Sequence, residues 1–249
     1  MRASVEWMLD KPTVPEESSK WSPQKQVIRR KQLGRGLAER PRLFERVHDS
    51  DFRDCTHVSN APKALVLDCD ACLIWPETWL TEGGPYTPLA PPIGTSEPPC
   101  LCADSANRPI ALFPSVPPLL RLLATSGSLA PTSVHIASRS TEPAWLEEIL
   151  TALGVVQSDT SALHGAAPLR NVHVESSLSK AEHVQRIAQA ESVSPRECML
   201  LDNEHEQCYG CERDCGALAE VSAGGISPAK WNTAIERFER ESHWRLKRT

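Results

Sequence analysis

The chain has 249 residues, 40% of them apolar and 24% charged. That is the composition of a soluble globular protein, with room for one large domain, or for a domain of about 150 to 190 residues with an extension. Its net charge of −5 argues against a general nucleic-acid or anionic-membrane binder, and no run approaches the roughly 18 apolar residues needed to cross a bilayer. The N-terminal stretch MRASVEWMLDKPTVPEESSK carries acids and a proline but no apolar core, unlike a secretory signal, so the expected location is cytoplasmic. Nine cysteines, several inside apolar runs (Cys69, Cys72, Cys198), suit reduced thiols better than a disulfide framework.

Residues 1–62 are polar and lack a sustained strand pattern; they read as a mobile N-terminal extension, with short helices around 25–30 and 43–47. The basic stretch between Lys25 and Arg53 reads either as a docking arm or as a solvated extension. From Lys63 the texture changes. Short apolar runs at Ala64–Leu67, Ser133–Ala137, Asn171–Val174, Cys198–Leu201 and Ala217–Val221 alternate with amphipathic segments at Val116–Ala124, Ala144–Leu153, Lys180–Ala190, Glu204–Asp214 and Pro228–Glu239. Strands alternating with helices predict parallel strands joined by crossovers, a Rossmann-like doubly wound α/β fold. Residues 76–110, dense in Pro, Gly, Ser and Thr, read as a long loop or small flap overhanging the end of the first strand. The folded domain is expected over 63–241, with a short tail at 242–249.

In such a sheet, ligands bind beyond the carboxyl ends of the strands. Asp68 and Asp70 follow the first strand, Ser138 and Arg139 the second, Lys180 the third, and Asp202, Asn203 and Glu204 the fourth. Asp68 and Asp70, two residues apart in extended chain, face the same side. Singly, each residue has an ordinary structural explanation; Ser179-x-x-Glu182, for instance, matches a capping box ahead of Lys180. Together they suit phosphoryl transfer. One carboxylate attacks phosphorus, a second moves protons, a hard cation offsets the carboxylate–phosphate repulsion, and lysine and serine hold the phosphoryl oxygens.

The run Asp68-Cys69-Asp70-Ala71-Cys72 resembles the first motif, DxDx[TV], of the haloacid dehalogenase superfamily. Ser138, Lys180 and Asp202-Asn203 fall where its later motifs belong. The stretches DCDACLIWP, ALFPSVPPLL, ASRS, LSK and DNEH are similar to DLDYTLWP, LYPEVPEVL, ASRT, GSK and DDEN of the magnesium-dependent phosphatase family, over roughly residues 63–240. The resemblance implies a core without a large cap domain and catalysis through an aspartyl-phosphate. It further implies Asp68 as nucleophile and Mg²⁺ ligand, and Asp70 as general acid/base with its carbonyl on the metal. Asp202 and Asn203 would complete the metal site, while Cys69, Ser138, Arg139 and Lys180 would hold phosphate or substrate and Trp79 would line the entrance. The implied substrates are bulky phosphoesters, such as protein phosphotyrosine or phosphorylated sugar adducts; neither nucleic acid nor membrane is an expected partner.

Two positions depart from the family pattern: Cys72 replaces a threonine and Asn203 the second acid of the fourth motif. They motivate an alternative in which the chain is a degenerate homologue that binds phospho-ligands without turnover. Cys208, Cys211 and Cys215 on one predicted helix, with His205 close by, read either as a zinc cluster or as ordinary thiols.

Overall fold

A computed structural model describes residues 47–89, 101–156 and 171–245. The basic stretch up to residue 46, and Cys100, lie outside the described residues. A five-stranded parallel sheet in the order β7-β6-β1-β8-β9 forms the centre, from β1 (Ala64–Leu67), β6 (Ser133–Ser138), β7 (Asn171–Val174), β8 (Cys198–Asp202) and β9 (Leu218–Val221). The order places β1 in the middle and sends the chain outward on both sides, the doubly wound arrangement expected from the sequence.

Alternation along the strands divides the core in two. Leu65, Leu67, Ile136, Met199, Leu201 and Leu218 pack on one face with α1 (Val116–Thr125), α2 (Pro143–Ala152) and α5 (Pro228–Arg245). On the other face Ala64, Val66, Ala137, Leu200 and Ala219 meet α3 (Lys180–Ala190) and α4 (His205–Asp214). β1 is completely buried on both sides, which explains why four apolar residues in a row precede the acids.

Residues 47–62 of the expected extension include Phe52, Cys55 and Ala61, all buried. The Arg53 carbonyl accepts from Trp231 Nε1 at 2.7 Å, and the Arg53 side chain pairs with Glu236 and Glu239 of α5. This short stretch therefore packs on the domain.

Within the segment 76–110, the described residues 76–89 and 101–110 are more ordered than their composition predicts. A small antiparallel sheet, β2-β5-β4-β3, is built from β2 (Ile74–Trp75), β3 (Thr87–Pro88), β4 (Leu101–Ala103) and β5 (Pro109–Leu112). Its hairpin is fixed by the Asp104 carboxylate, which accepts from the backbone N–H groups of Glu82, Ala106 and Arg108 and from the Arg108 guanidinium. One buried acid thereby supplies the order that a Pro-rich sequence lacks. The sheet is a flap rather than a large cap.

Candidate active site

The turn after β1 is built on one carbonyl. Cys69 O accepts from the N–H groups of Cys72, Leu73 and Ile74, and Ala71 takes a positive φ of 59° to close the loop. Gly225 N and Ile226 N donate to the carbonyls of Ala71 and Cys72, tying the turn to the segment after β9. Asp68 and Asp70 are thus carried on a tightly bonded loop at the carboxyl edge of the sheet.

Lys180 joins three strand ends. Its Nζ lies 2.5 Å from Asp68 Oδ1, 2.5 Å from the Ala137 carbonyl at the end of β6, and 3.2 Å from Asp202 Oδ2 at the end of β8. The capping box at Ser179 and Glu182 holds the start of α3: Glu182 N donates to Ser179 Oγ, and the Ser179 N–H donates to Glu182 Oε2 at 2.7 Å. That cap aims a lysine from the first helical turn into the site. Burial opposes charge on Lys180, but Asp68 and then Asp202 outweigh it and hold the ammonium protonated.

The carboxylates outnumber the cation. Lys180 is the only buried lysine or arginine among the described residues, and it faces Asp68 and Asp202, both buried, with half-buried Asp70 near by. Burial raises the Asp68 carboxyl to about 7 against the pull of Lys180, and the neighbouring Asp202 adds to the rise. Asp70 is also raised by burial, offset in part by two bonds from Thr78, whose N and Oγ1 both donate to Asp70 Oδ1 at 2.7 Å. Asp202 Oδ1 accepts from Glu204 N at 2.8 Å, whereas Oδ2 has no aligned hydrogen bond despite its closeness to the ammonium.

This donor set fits a divalent cation: three acids gather around one ammonium, and one buried carboxylate oxygen, Asp202 Oδ2, has no aligned hydrogen-bond partner. Among the described residues, no three His, Cys, Asp or Glu side chains already converge on one metal position. Lys180 stands between Asp68 and Asp202 instead.

The other expected site residues lie around this centre. Ser138 is buried and its Oγ accepts from Ser140 N at 3.0 Å. Arg139 is exposed at the rim, 3.9 Å from Glu204 Oε2, and Asn203 is half-buried beside Asp202. Cys69 is fully buried, so only its backbone can serve a ligand there. Trp79 is half-buried and donates from Nε1 to Glu77 Oε2 at 2.5 Å. Burial raises the Glu77 carboxyl, opposed by that bond and reinforced by the charges of Asp70 and Glu204.

Thr78 and Glu77 were not singled out by the sequence. The only signal for Thr78 is its position eight residues after Asp70; it opens a one-turn 3-10 helix, Thr78–Leu80, just beyond β2. Cys72, in place of threonine, leaves a weak contact: Sγ lies 3.8 Å from the Ser222 carbonyl, and the buried Ser222 Oγ has no partner. The zinc reading of the cysteine trio finds no support among the described residues. Cys208 Sγ points to the Asp202 carbonyl at 3.8 Å, while Cys211 and Cys215 face each other.

The family model described as Acid Phosphatase matches residues 60–241. No curated protein matches the chain. Among solved structures, a HAD family hydrolase from Streptomyces avermitilis is 12% identical with a TM-score of 0.40, covering 73% of this chain and 83% of that one. The cobalt-bound deoxy-D-mannose-octulosonate 8-phosphate phosphatase of Haemophilus influenzae is 11% identical with a TM-score of 0.36, covering 74% and 92%. A HAD superfamily (subfamily III A) hydrolase from Legionella pneumophila is 12% identical with a TM-score of 0.37, covering 76% and 91%. With the family match spanning the whole parallel sheet and its acidic edge, the chain belongs to the acid phosphatase family.

Proposed function

We propose that the chain is a Mg²⁺-dependent phosphomonoester hydrolase that works through an aspartyl-phosphate on Asp68. The observation that carries this reading is a buried carboxylate, Asp68, fixed by a buried ammonium at 2.5 Å, with a second carboxylate two residues on. A carboxylate so held, stripped of water and unable to rotate away, is a prepared nucleophile.

Asp68 attacks phosphorus. Asp70, protonated at first, gives its proton to the leaving oxygen and then takes one from the water that hydrolyses the acyl-phosphate. Thr78 holds Asp70 Oδ1 with two donors and leaves Oδ2 to carry the proton. Lys180 and Ser138 bind phosphoryl oxygens, with the Cys69 backbone beside them, and Arg139 engages the phosphate or its neighbouring group from the rim. Asp68, Asp202, Asn203 and the Asp70 carbonyl would hold Mg²⁺, whose charge offsets the repulsion between carboxylate and phosphate and the charge developing on the phosphoryl oxygens.

The flap is small, and Arg139 and Trp79 lie at the mouth. These features suit bulky substrates, protein phosphotyrosine or phosphorylated sugar adducts on protein, better than small phosphates that need a closed chamber. The expected setting is cytoplasmic.

The test is hydrolysis of p-nitrophenyl phosphate and of a phosphotyrosine peptide with and without Mg²⁺. Turnover should require Mg²⁺ and vanish in Asp68→Asn; equal activity in that variant overturns the reading. The second reading, phospho-ligand binding without turnover, is favoured by Asn203 in place of an acid. It predicts phosphate binding with no hydrolysis at any Mg²⁺ concentration.

A further inference from the structure

α4 ends in a pair of thiols that the reading above does not use. Cys211 Sγ and Cys215 Sγ lie 3.5 Å apart, and Cys215 Sγ also donates to the Cys211 carbonyl at 3.0 Å. In a continuous helix, side chains four apart are neighbours on one face, with Cβ atoms about 5–6 Å apart. Here Cys215 is the C-cap residue, with φ −123° and ψ −11°, so its side chain leaves the helical path and meets Cys211. The two differ in exposure: Cys211 is fully buried and Cys215 is half-buried.

The neighbouring thiols face backbone carbonyls of other segments. Cys208 Sγ is turned to the Asp202 carbonyl at 3.8 Å, and Cys198 Sγ to the Ser194 carbonyl at 3.6 Å. We propose that Cys211 and Cys215 are an oxidation site, a dithiol that a hydroperoxide closes to an intramolecular disulfide. Hydrogen bonding to Cys215, then burial, holds Cys211 protonated, and Cys215 is the more exposed of the two sulfurs, so a peroxide reaches it first.

The chemistry balances in two steps. The Cys215 thiolate attacks one peroxide oxygen, the O–O bond breaks, and the departing hydroxide takes up a proton to leave as water, giving a sulfenic acid. Cys211 then attacks the Cys215 sulfur, losing its proton as the S–O bond breaks and a second water leaves. Two thiols and one hydrogen peroxide yield one disulfide and two waters. The sulfurs must close from 3.5 Å to bonding distance, about 2.05 Å. That movement falls at the end of a helix rather than in the sheet.

Arg213 lies between the two cysteines, so trypsin cuts between them and a disulfide joins two otherwise separate peptides. The experiment treats the reduced full chain with stoichiometric hydrogen peroxide, alkylates remaining thiols under denaturing conditions, digests, and maps the products by mass. The expected result is a cross-linked pair with the bond at Cys211–Cys215, dissolved by dithiothreitol. It should persist in Cys208→Ser and Cys198→Ser and be absent in Cys215→Ser. The proposal is overturned if both thiols remain alkylatable, if the cross-link runs to Cys198 or Cys208, or if Cys215 is driven to the sulfinic acid without pairing.

Discussion

Replacing Thr78 by valine removes one of the two donors that hold Asp70 Oδ1 while keeping the side-chain volume and the backbone N–H. The hydroxyl lies 2.7 Å from the carboxylate and Thr78 is fully buried, so no water takes its place. A hydrogen bond to a charged group is worth roughly 1.5–3 kcal/mol. Burial already raises the Asp70 carboxyl and the two Thr78 bonds offset that rise, so losing one makes Asp70 harder to ionise. The limb of the rate profile that needs ionised Asp70 as base for water should therefore move to higher pH. On its acidic side kcat should fall about tenfold or more, since about 1.4 kcal/mol corresponds to a factor of ten. The assay is kcat against pH for wild type, Thr78→Val and Thr78→Ser, with an alkyl phosphomonoester beside p-nitrophenyl phosphate. Serine should restore the wild-type profile, and KM should change little. A valine profile superimposed on that of wild type would refute the role given to Thr78.

Lys180→Met should abolish turnover and, by leaving Asp68 and Asp202 facing each other without their cation, cost roughly 3–5 kcal/mol in urea unfolding; a variant as stable as wild type would contradict the buried ion network. Gly225→Ala places a Cβ 2.7 Å from the Phe113 ring at a φ of +97°. It should lower stability by about 1–3 kcal/mol, read from the urea midpoint. Burial holds His135, His173 and His183 below their ordinary 6.5, and Glu191 opposes that shift on His135. The unfolded chain then binds more protons, so their contribution is fully present above 6.5 and is lost as pH falls through that range. Urea midpoints should drop from neutral to mildly acidic pH, less steeply in His173→Gln; parallel curves would remove the histidines from the account.

The centre of the sheet was legible because β1 and β8 are buried on both faces, which makes the runs ahead of Asp68 and Asp202 apolar, while the outer strands carry polar residues such as His135, His173 and Glu220. The Ser133–Ser138 strand runs one residue beyond its apolar run, and Pro228–Arg245 extends past the predicted helix end because Arg237 and Glu241 continue the polar face with an ion pair. The acids at the strand ends were readable for the same reason: Asp68 interrupts an apolar run with no packing purpose. The flap was read as a loop or flap, but its internal sheet was not readable. Its strands are as short as Thr87–Pro88, too short for alternation, and its order comes from Asp104, whose partners lie as far away as Glu82. Nor was the double engagement of Lys180 with Asp68 and Asp202, because helix capping places a lysine near a site without telling which acids it will meet.

The central claim is that phosphorus passes through Asp68. The most direct measurement is acid quenching during turnover with Mg²⁺, followed by peptide mapping by mass. The account predicts one phosphoryl group on the peptide containing Asp68, labile to hydroxylamine and absent in Asp68→Asn. Turnover with that peptide never modified, or hydrolysis undiminished in Asp68→Asn, would contradict it.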